Sequence, residues 1–213
     1  MKSLSPKLRL CVTSTPLRPL VSFSMVNMGM LGKNFNVLDP FAGSCSTLLA
    51  AASIESSCKV VGVERSTYVD FSRVHDDFCS RGLPKLRGLI RGDSSKREIR
   101  EMARNCVSNS PFDLIVCDPP YGLREKLNQE RDPAPIVELL RWIKDDRNNG
   151  TPLLKVGGRI VAFCPTLESN ESAIDGMPDD EQMIEAGVRM VTKMKQPMNE
   201  ALSRWLIVLE CIE

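Results

Sequence analysis

Asp118-Pro119-Pro120-Tyr121 places one carboxylate, two carbonyls with no accompanying N–H and an aromatic ring at consecutive positions. Such a set suits a flat ring that carries an amine, with oxygens to take its N–H groups and a face to stack it on. The motif follows Phe112-Asp113-Leu114-Ile115-Val116-Cys117, a short apolar run that reads as a buried strand. Pro119 and Pro120 cannot continue a central strand, and Pro120 forces Pro119 into an extended conformation. The chain must therefore leave the sheet at a carboxyl edge, where open α/β sheets bind ligands.

Three acidic residues close earlier strand-like runs. Asp39 ends Asn36-Val37-Leu38 and opens the turn Asp39-Pro40-Phe41-Ala42-Gly43-Ser44-Cys45. Gly43 allows close backbone approach, and the helix that follows offers unpaired N–H groups to an anion. Glu64 ends Lys59–Glu64, where a carboxylate can accept two ribose hydroxyls. Asp93, in Gly92-Asp93-Ser94, could accept an exocyclic adenine N–H. Each acid alone is more often a helix cap or a solvated loop residue. Three in order at successive strand ends describe a nucleoside site instead. Neither GxGxxG nor GxxxxGK[ST] occurs, so a dinucleotide and a triphosphate are both disfavoured. The expected ligand is S-adenosylmethionine, its adenosine on Glu64 and Asp93 and its amino-acid end on the Asp39–Gly43 turn.

The 213 residues suffice for one α/β domain, 1–213, with residues 1–14 read as a basic, disordered lead-in. The formal charge is +1, unlike the strongly basic surface of a self-sufficient nucleic-acid binder. Eight cysteines are scattered without a CxxC pair, and His75 is the one histidine, so core thiols are expected and no metal site. His75 reads as a surface or packing residue, and Trp142 and Trp205 as packing residues. No stretch is long and apolar enough to span a bilayer as a helix.

Alternating patterns predict helices over 19–31, 46–56, 66–80, 95–107, 135–144 and 178–186. Strands are predicted over 36–38, 59–64, 86–91, 112–117, 159–164, 188–194 and 204–210, with a turn at Gly157-Gly158 and a linker at Gln196-Pro197. Residues 124–134 read as a polar loop. The alternation implies an α/β, Rossmann-like, mostly parallel seven-stranded sheet with a closing antiparallel strand.

VLDPFAGSCSTLLAAA, GVE, GDSS, FDLIVCDPPYGLREK and LLKVGGRIVAFCP resemble the amino-methyltransferases of RNA. The resemblance is strongest to the tRNA guanosine-10 N2-methyltransferases, through DPPYG with Arg124-Glu125 and through GGRIVAFCPT. TPLRPLVSFSMVNMGML is similar to that family's helix before the first strand, with Thr15, Pro19, Met25 and Asn27 in matching places. Gln196 and Ser203-Arg204-Trp205-Leu206 are similar to its closing strands. The resemblance runs from about residue 13 to the end, inside the basic segment 1–38. An ordinary basic lead-in is therefore favoured over an organelle transit peptide, and a cytoplasmic location is expected with organelle targeting still open.

The resemblance implies a class I S-adenosylmethionine-dependent methyltransferase acting on the guanine N2 amine in tRNA. It implies a donor site of Thr15, Asp39, Pro40, Phe41, Gly43, Ser44, Glu64, Asp93, Ser94 and Asp118. The catalytic set is Asp118, Pro119, Pro120 and Tyr121, and the substrate contacts are Tyr121, Gly122 and Arg124. Two departures stand out: Cys45 occupies the place of a second glycine, and the family's THUMP-type RNA-binding domain is missing from the sequence. Either the sequence is an excised catalytic domain, or RNA capture is expected from a separate RNA-binding subunit or a small zinc-binding activator subunit. The alternatives are an amino-methyltransferase for adenine or cytosine in DNA or other RNA, and a non-catalytic, cofactor-binding scaffold.

Overall fold

Near-continuous apolar runs bounded by turn residues give central strands buried on both faces. The computed structural model describes residues 8–13, 16–120, 134–167, 176–198 and 202–213. In chain order the strands are β1 (Asn36–Asp39), β2 (Lys59–Glu64), β3 (Gly88–Arg91), β4 (Phe112–Cys117), β5 (Leu154–Leu167), β6 (Val188–Pro197) and β7 (Leu202–Cys211). The helices are α1 (Pro19–Met28), α2 (Ser46–Ile54), α3 (Phe71–Cys79), α4 (Arg97–Asn105), α5 (Pro135–Asn148) and α6 (Asp180–Glu185). The strands form a seven-stranded sheet in the order β3-β2-β1-β4-β5-β7-β6. β1 to β5 pair in parallel, and β7 runs antiparallel to both β5 and β6. The expected α/β class, strand number and closing antiparallel strand are all present.

One apolar layer packs α1, α2 and α3 on one face through Met25, Val26, Leu48, Leu49, Val74 and Phe78. The other packs α4, α5 and α6 through Ala103, Ile136, Leu139, Leu140 and Met183. The chain winds outward from β1 to β3 and then crosses back to β4. The order therefore reverses between β1 and β4, and a crevice opens at their carboxyl ends. Asp39 is the last residue of β1 and Asp118 the first after β4.

Four sequence expectations need correction. Gly157-Gly158 is not a turn before β5 but an irregularity inside it: Gly157 has φ +79°, and the β4–β5 register shifts between Phe112 and Leu114. Gln196-Pro197 is not a linker but the end of β6, an edge strand, where a proline costs no ladder hydrogen bond. α3 begins at Phe71, not Ser66, because Asp70 caps it by accepting from the Ser72 and Arg73 N–H groups. Finally, residues 8–13 are not a loose lead-in. Cys11 is buried, and the Leu10 and Cys11 N–H groups donate to Asp77 of α3 at 2.9 and 3.1 Å. Residues 1–7 and 14–15 lie outside the described residues.

Candidate active site

The β1 turn is held in shape by its own oxygens. Asp39 Oδ1 accepts from the Phe41 N–H at 2.9 Å, and Oδ2 accepts from the Thr47 hydroxyl at the start of α2. The Ala42 N–H donates to the Val63 carbonyl of β2 at 2.9 Å. Gly62 makes room for that approach, since a Cβ there would stand 2.9 Å from the Cβ of Ala42. Gly43 takes φ +50° and its N–H donates to Glu64 Oε2 at 2.7 Å. Cys45 takes φ +61°, and as the N-cap of α2 it makes no side-chain capping bond. The first turn of α2 therefore meets the cleft without a side-chain cap.

Asp39 is buried, and desolvation pushes its carboxyl up from 3.8 to about 7. The bonds from Thr47 and Phe41 oppose the rise, whereas the charges of Asp118 and Glu64 add to it. Glu64 also accepts from the Ser66 N–H at 2.6 Å, so it ties the β1 turn to the β2 turn. Asp93 accepts from the Ser95 N–H at 2.9 Å. Burial works against its charge, but bonds from Ser95 and the nearby Arg65 and Lys96 cations hold its carboxyl below the usual range.

Ser94, expected as a donor ligand, also braces the turn. Its side chain is buried and its hydroxyl donates to the Pro40 carbonyl at 2.7 Å, fastening the β3 tip to the β1 turn. Trp142 packs against Phe41 with ring centroids 6.0 Å apart.

At the β4 tip, Asp118 is a quarter exposed, and Pro119 is buried behind it. Arg204 of β7 faces both Asp118 oxygens, with Nη1 at 3.5 Å from Oδ1 and 3.4 Å from Oδ2. The guanidinium lies over the Phe163 ring at 3.6 Å, and its Nε donates to Gln196 Oε1 at 2.9 Å. Sequence reasoning noticed Arg204 and Gln196 only as part of the closing strands. Gln196 was read as part of a linker between them, so neither its pairing with Arg204 across β6 and β7 nor the meeting of Arg204 with Asp118 was foreseen.

A cleft of about 360 Å³, counted with its open mouth, joins the two tips. Asp39, Phe41, Gly43, Ser44 and Asp118 line it, together with Thr13, Leu17 and Thr47. Thr13 and Leu17 were not foreseen as lining residues. Pro40, Glu64, Asp93 and Ser94 do not line this cleft. Thr15, Tyr121, Gly122 and Arg124 lie outside the described residues. Among the described residues no group of three His, Cys, Asp or Glu could hold a metal ion, and no helix is long and apolar enough to cross a membrane. The arrangement is suited to a ligand with a cationic or hydroxyl-bearing end on the β1 turn and an amine presented to Asp118.

A family model described as Conserved hypothetical protein 95 matches residues 17–146. The tRNA (guanine(10)-N(2))-methyltransferase TRMT11 of Bos taurus is 26% identical, over 100% of this chain and 50% of its own length. The chain thus spans about half the length of the curated relatives it matches. TrmN from Thermus thermophilus superposes with a TM-score of 0.58 at 20% identity, covering 93% of this chain and 50% of that one. SMU.776, solved in complex with SAH, gives 0.60 at 14% identity, covering 93% and 52%. At these identities the two solved structures speak for the fold, which is that of the class I methyltransferases.

Proposed function

The chain belongs to the family described as Conserved hypothetical protein 95, and on that premise we propose that it transfers a methyl group from S-adenosylmethionine to the N2 amine of a guanosine in tRNA. One observation carries this reading: Asp118 and the Asp39–Ser44 turn line the same cleft, so a donor on β1 and an amine at β4 can meet. The names of the TRMT11 relatives supply the substrate class.

The residues fit such a donor. Asp39 can meet an ammonium, the open start of α2 can meet a carboxylate, and Glu64 and Asp93 stand at the next two strand tips for a ribose and an adenine. S-adenosylmethionine supplies an electrophilic methyl on a sulfonium. The guanine N2 amine is a weak nucleophile because its lone pair is delocalised into the ring. Asp118 and the Pro119 carbonyl accept its two N–H groups and draw the nitrogen toward a pyramidal shape that frees the pair. Pro120 fixes the direction of that carbonyl by holding Pro119 extended. Tyr121 stacks on the base, while Gly122 and Arg124 contact the surrounding nucleotide. As the N–C bond forms, the methyl's bond to sulfur would break and leave a neutral thioether, and one N–H proton would leave through Asp118 to solvent. Positioning and aimed acceptors supply most of the rate, not a strong base.

A base in folded RNA must be extruded to enter this cleft. RNA affinity comes from a further part of a longer protein, a separate RNA-binding subunit or a small zinc-binding activator subunit, and the site of action is the cytoplasm.

The test combines purified protein, with and without a partner recovered from its native source, with labelled donor and total tRNA. Label is expected in N2-methylguanosine. Label in adenine or cytosine would replace this reading, and measurable donor binding without transfer to any nucleic acid would favour a scaffold. Asp118→Ala is expected to keep measurable donor binding and to lose transfer by about a hundredfold or more.

A further inference from the structure

We propose that Arg9 is a positioning residue for the donor turn, at the head of a strap, residues 9–13, that reaches the donor cleft at Thr13. The inference rests on the donor reading of that cleft and deepens it. The Arg9 side chain is 3% exposed and bridges two elements. Its Nε donates to Asp77 Oδ2 of α3 at 2.8 Å, its Nη1 to the Ser46 hydroxyl at 3.1 Å, and its Nη2 to the Ser44 carbonyl. The two turn contacts bracket Cys45 on either side.

Cys45 is where the turn needs support. It is a fully buried, non-glycine residue in the left-handed region, two positions after Gly43, which is also left-handed. L-residues disfavour that conformation, and no side-chain cap fastens the start of α2. The guanidinium adds a restraint from outside on either side of Cys45, beyond the bonds that Asp39 makes within the turn. A planar fork with several N–H donors suits this task, because it can hold a carboxylate and two oxygens of the turn together.

Asp77 anchors the clamp. Its side chain is fully buried and also accepts from Arg81 Nη1 at 2.7 Å, while Arg81 Nη2 donates to the Leu8 carbonyl at 2.9 Å. Burial works to raise its pKa, but the Arg9 bond and the Leu10 and Cys11 N–H groups hold it below the ordinary value, so the anchor stays charged. From this anchor the strap runs to Thr13, which lines the cleft with its methyl 4.0 Å from the place of a Cβ on Gly43.

A buried Arg–Asp–Arg group could serve only to fasten the strap. Arg81 separates the two roles, since it shares Asp77 with Arg9 but its bonds run to α3 and the strap rather than the turn. The experiment measures amide hydrogen exchange over residues 43–48, and calorimetric binding of S-adenosylhomocysteine, in the wild type, Arg9→Gln, Arg9→Lys and Arg81→Gln. In Arg9→Gln, exchange is expected to quicken and affinity to fall, each by about tenfold. Arg81→Gln should lose comparable thermal stability while both readouts stay within about twofold of the wild type. Arg9→Lys keeps the charge beside Asp77 but cannot span both turn oxygens, and should lie between. If Arg9→Gln fails to fold, Ser46→Ala removes one turn contact and should quicken the same amides by a smaller factor. Unchanged exchange in the Arg9 variants, or equal effects from Arg81→Gln, would overturn the proposal. Faster exchange in the Arg9 variants, with no binding even by the wild type, would support the clamp and remove the donor reading.

Discussion

The tips of β1 and β4 are neighbours in the sheet and each presents an aspartate, yet the two are built in opposite ways. Asp39 is buried, and both oxygens are engaged by groups of its own turn and helix, within eight residues along the chain. Asp118 remains partly open to solvent, and the cation facing it comes from a strand 86 residues away. The Asp39 carboxylate is oriented by local chain geometry, whereas the Asp118 carboxylate meets a cation brought by the tertiary docking of β7. A donor site that must hold one invariant molecule tolerates the first design. A site that must admit a nucleobase held in a larger molecule needs the second.

The locally oriented side stores an electrostatic cost, and this gives the largest expected effect. A carboxyl whose pKa is higher folded than unfolded favours the folded state when protonated. For Asp39 that contribution is fully present below 3.8, declines as pH rises, and is lost above about 7. A neutral amide removes the dependence. Asp39→Asn is therefore expected to gain stability relative to the wild type as pH rises from 4 to 8, offset at every pH by the acceptor that the amide no longer offers to Phe41 or Thr47. Chemical denaturation across that range measures it. Donor binding should move the opposite way: a ligand ammonium favours ionised Asp39, so wild-type affinity rises through pH 7 and the Asn variant shows a flat, weaker profile. A variant with no such gain as pH rises, and with unchanged affinity, would erase the distinction between the two tips.

The docked side should show its effect in turnover instead. Arg204 is held by Gln196 and by the Phe163 face, so it can orient the Asp118 carboxylate. Arg204→Gln is expected to lower kcat for methyl transfer by roughly ten- to fiftyfold while donor affinity changes little. Arg204→Lys restores the charge without the fork and should recover part of the loss. Steady-state kinetics against both substrates separate these terms. A loss confined to donor affinity would move Arg204 to the other tip's machinery.

What could be read from the sequence follows the same division. β2 and β4 were legible end to end because they are continuous apolar runs closed by an acid or a proline. The Asp39–Cys45 turn was legible because its chemistry is local. Gly157-Gly158 misled because a double glycine signals a turn, whereas here it accommodates a bulge within β5. The start of α3 misled because residues 66–69 are a turn bonded by Arg91 of β3, a contact that local propensity does not contain. Arg204 and Arg9 share that difficulty. Each acts on a tip from a distant stretch, and a single arginine in a polar context carries no sign of where it docks.

Ser94 sharpens the comparison with the smallest change. It was expected to touch the donor because it follows Asp93 at a strand tip, but its hydroxyl is committed to the Pro40 carbonyl behind the β1 turn. Removing that bond leaves a buried carbonyl with one partner fewer and does not alter the lining of the cleft. Ser94→Ala is expected to lower the unfolding free energy by about 1 kcal/mol. Affinity for S-adenosylhomocysteine should stay within about twofold, since far less than 1.4 kcal/mol would reach the ligand. Denaturant titration and calorimetry on the same preparation give both numbers. A tenfold loss of affinity with intact stability would make Ser94 a ligand in its own right, and the β3 tip would then be an open site like β4, not a brace for β1.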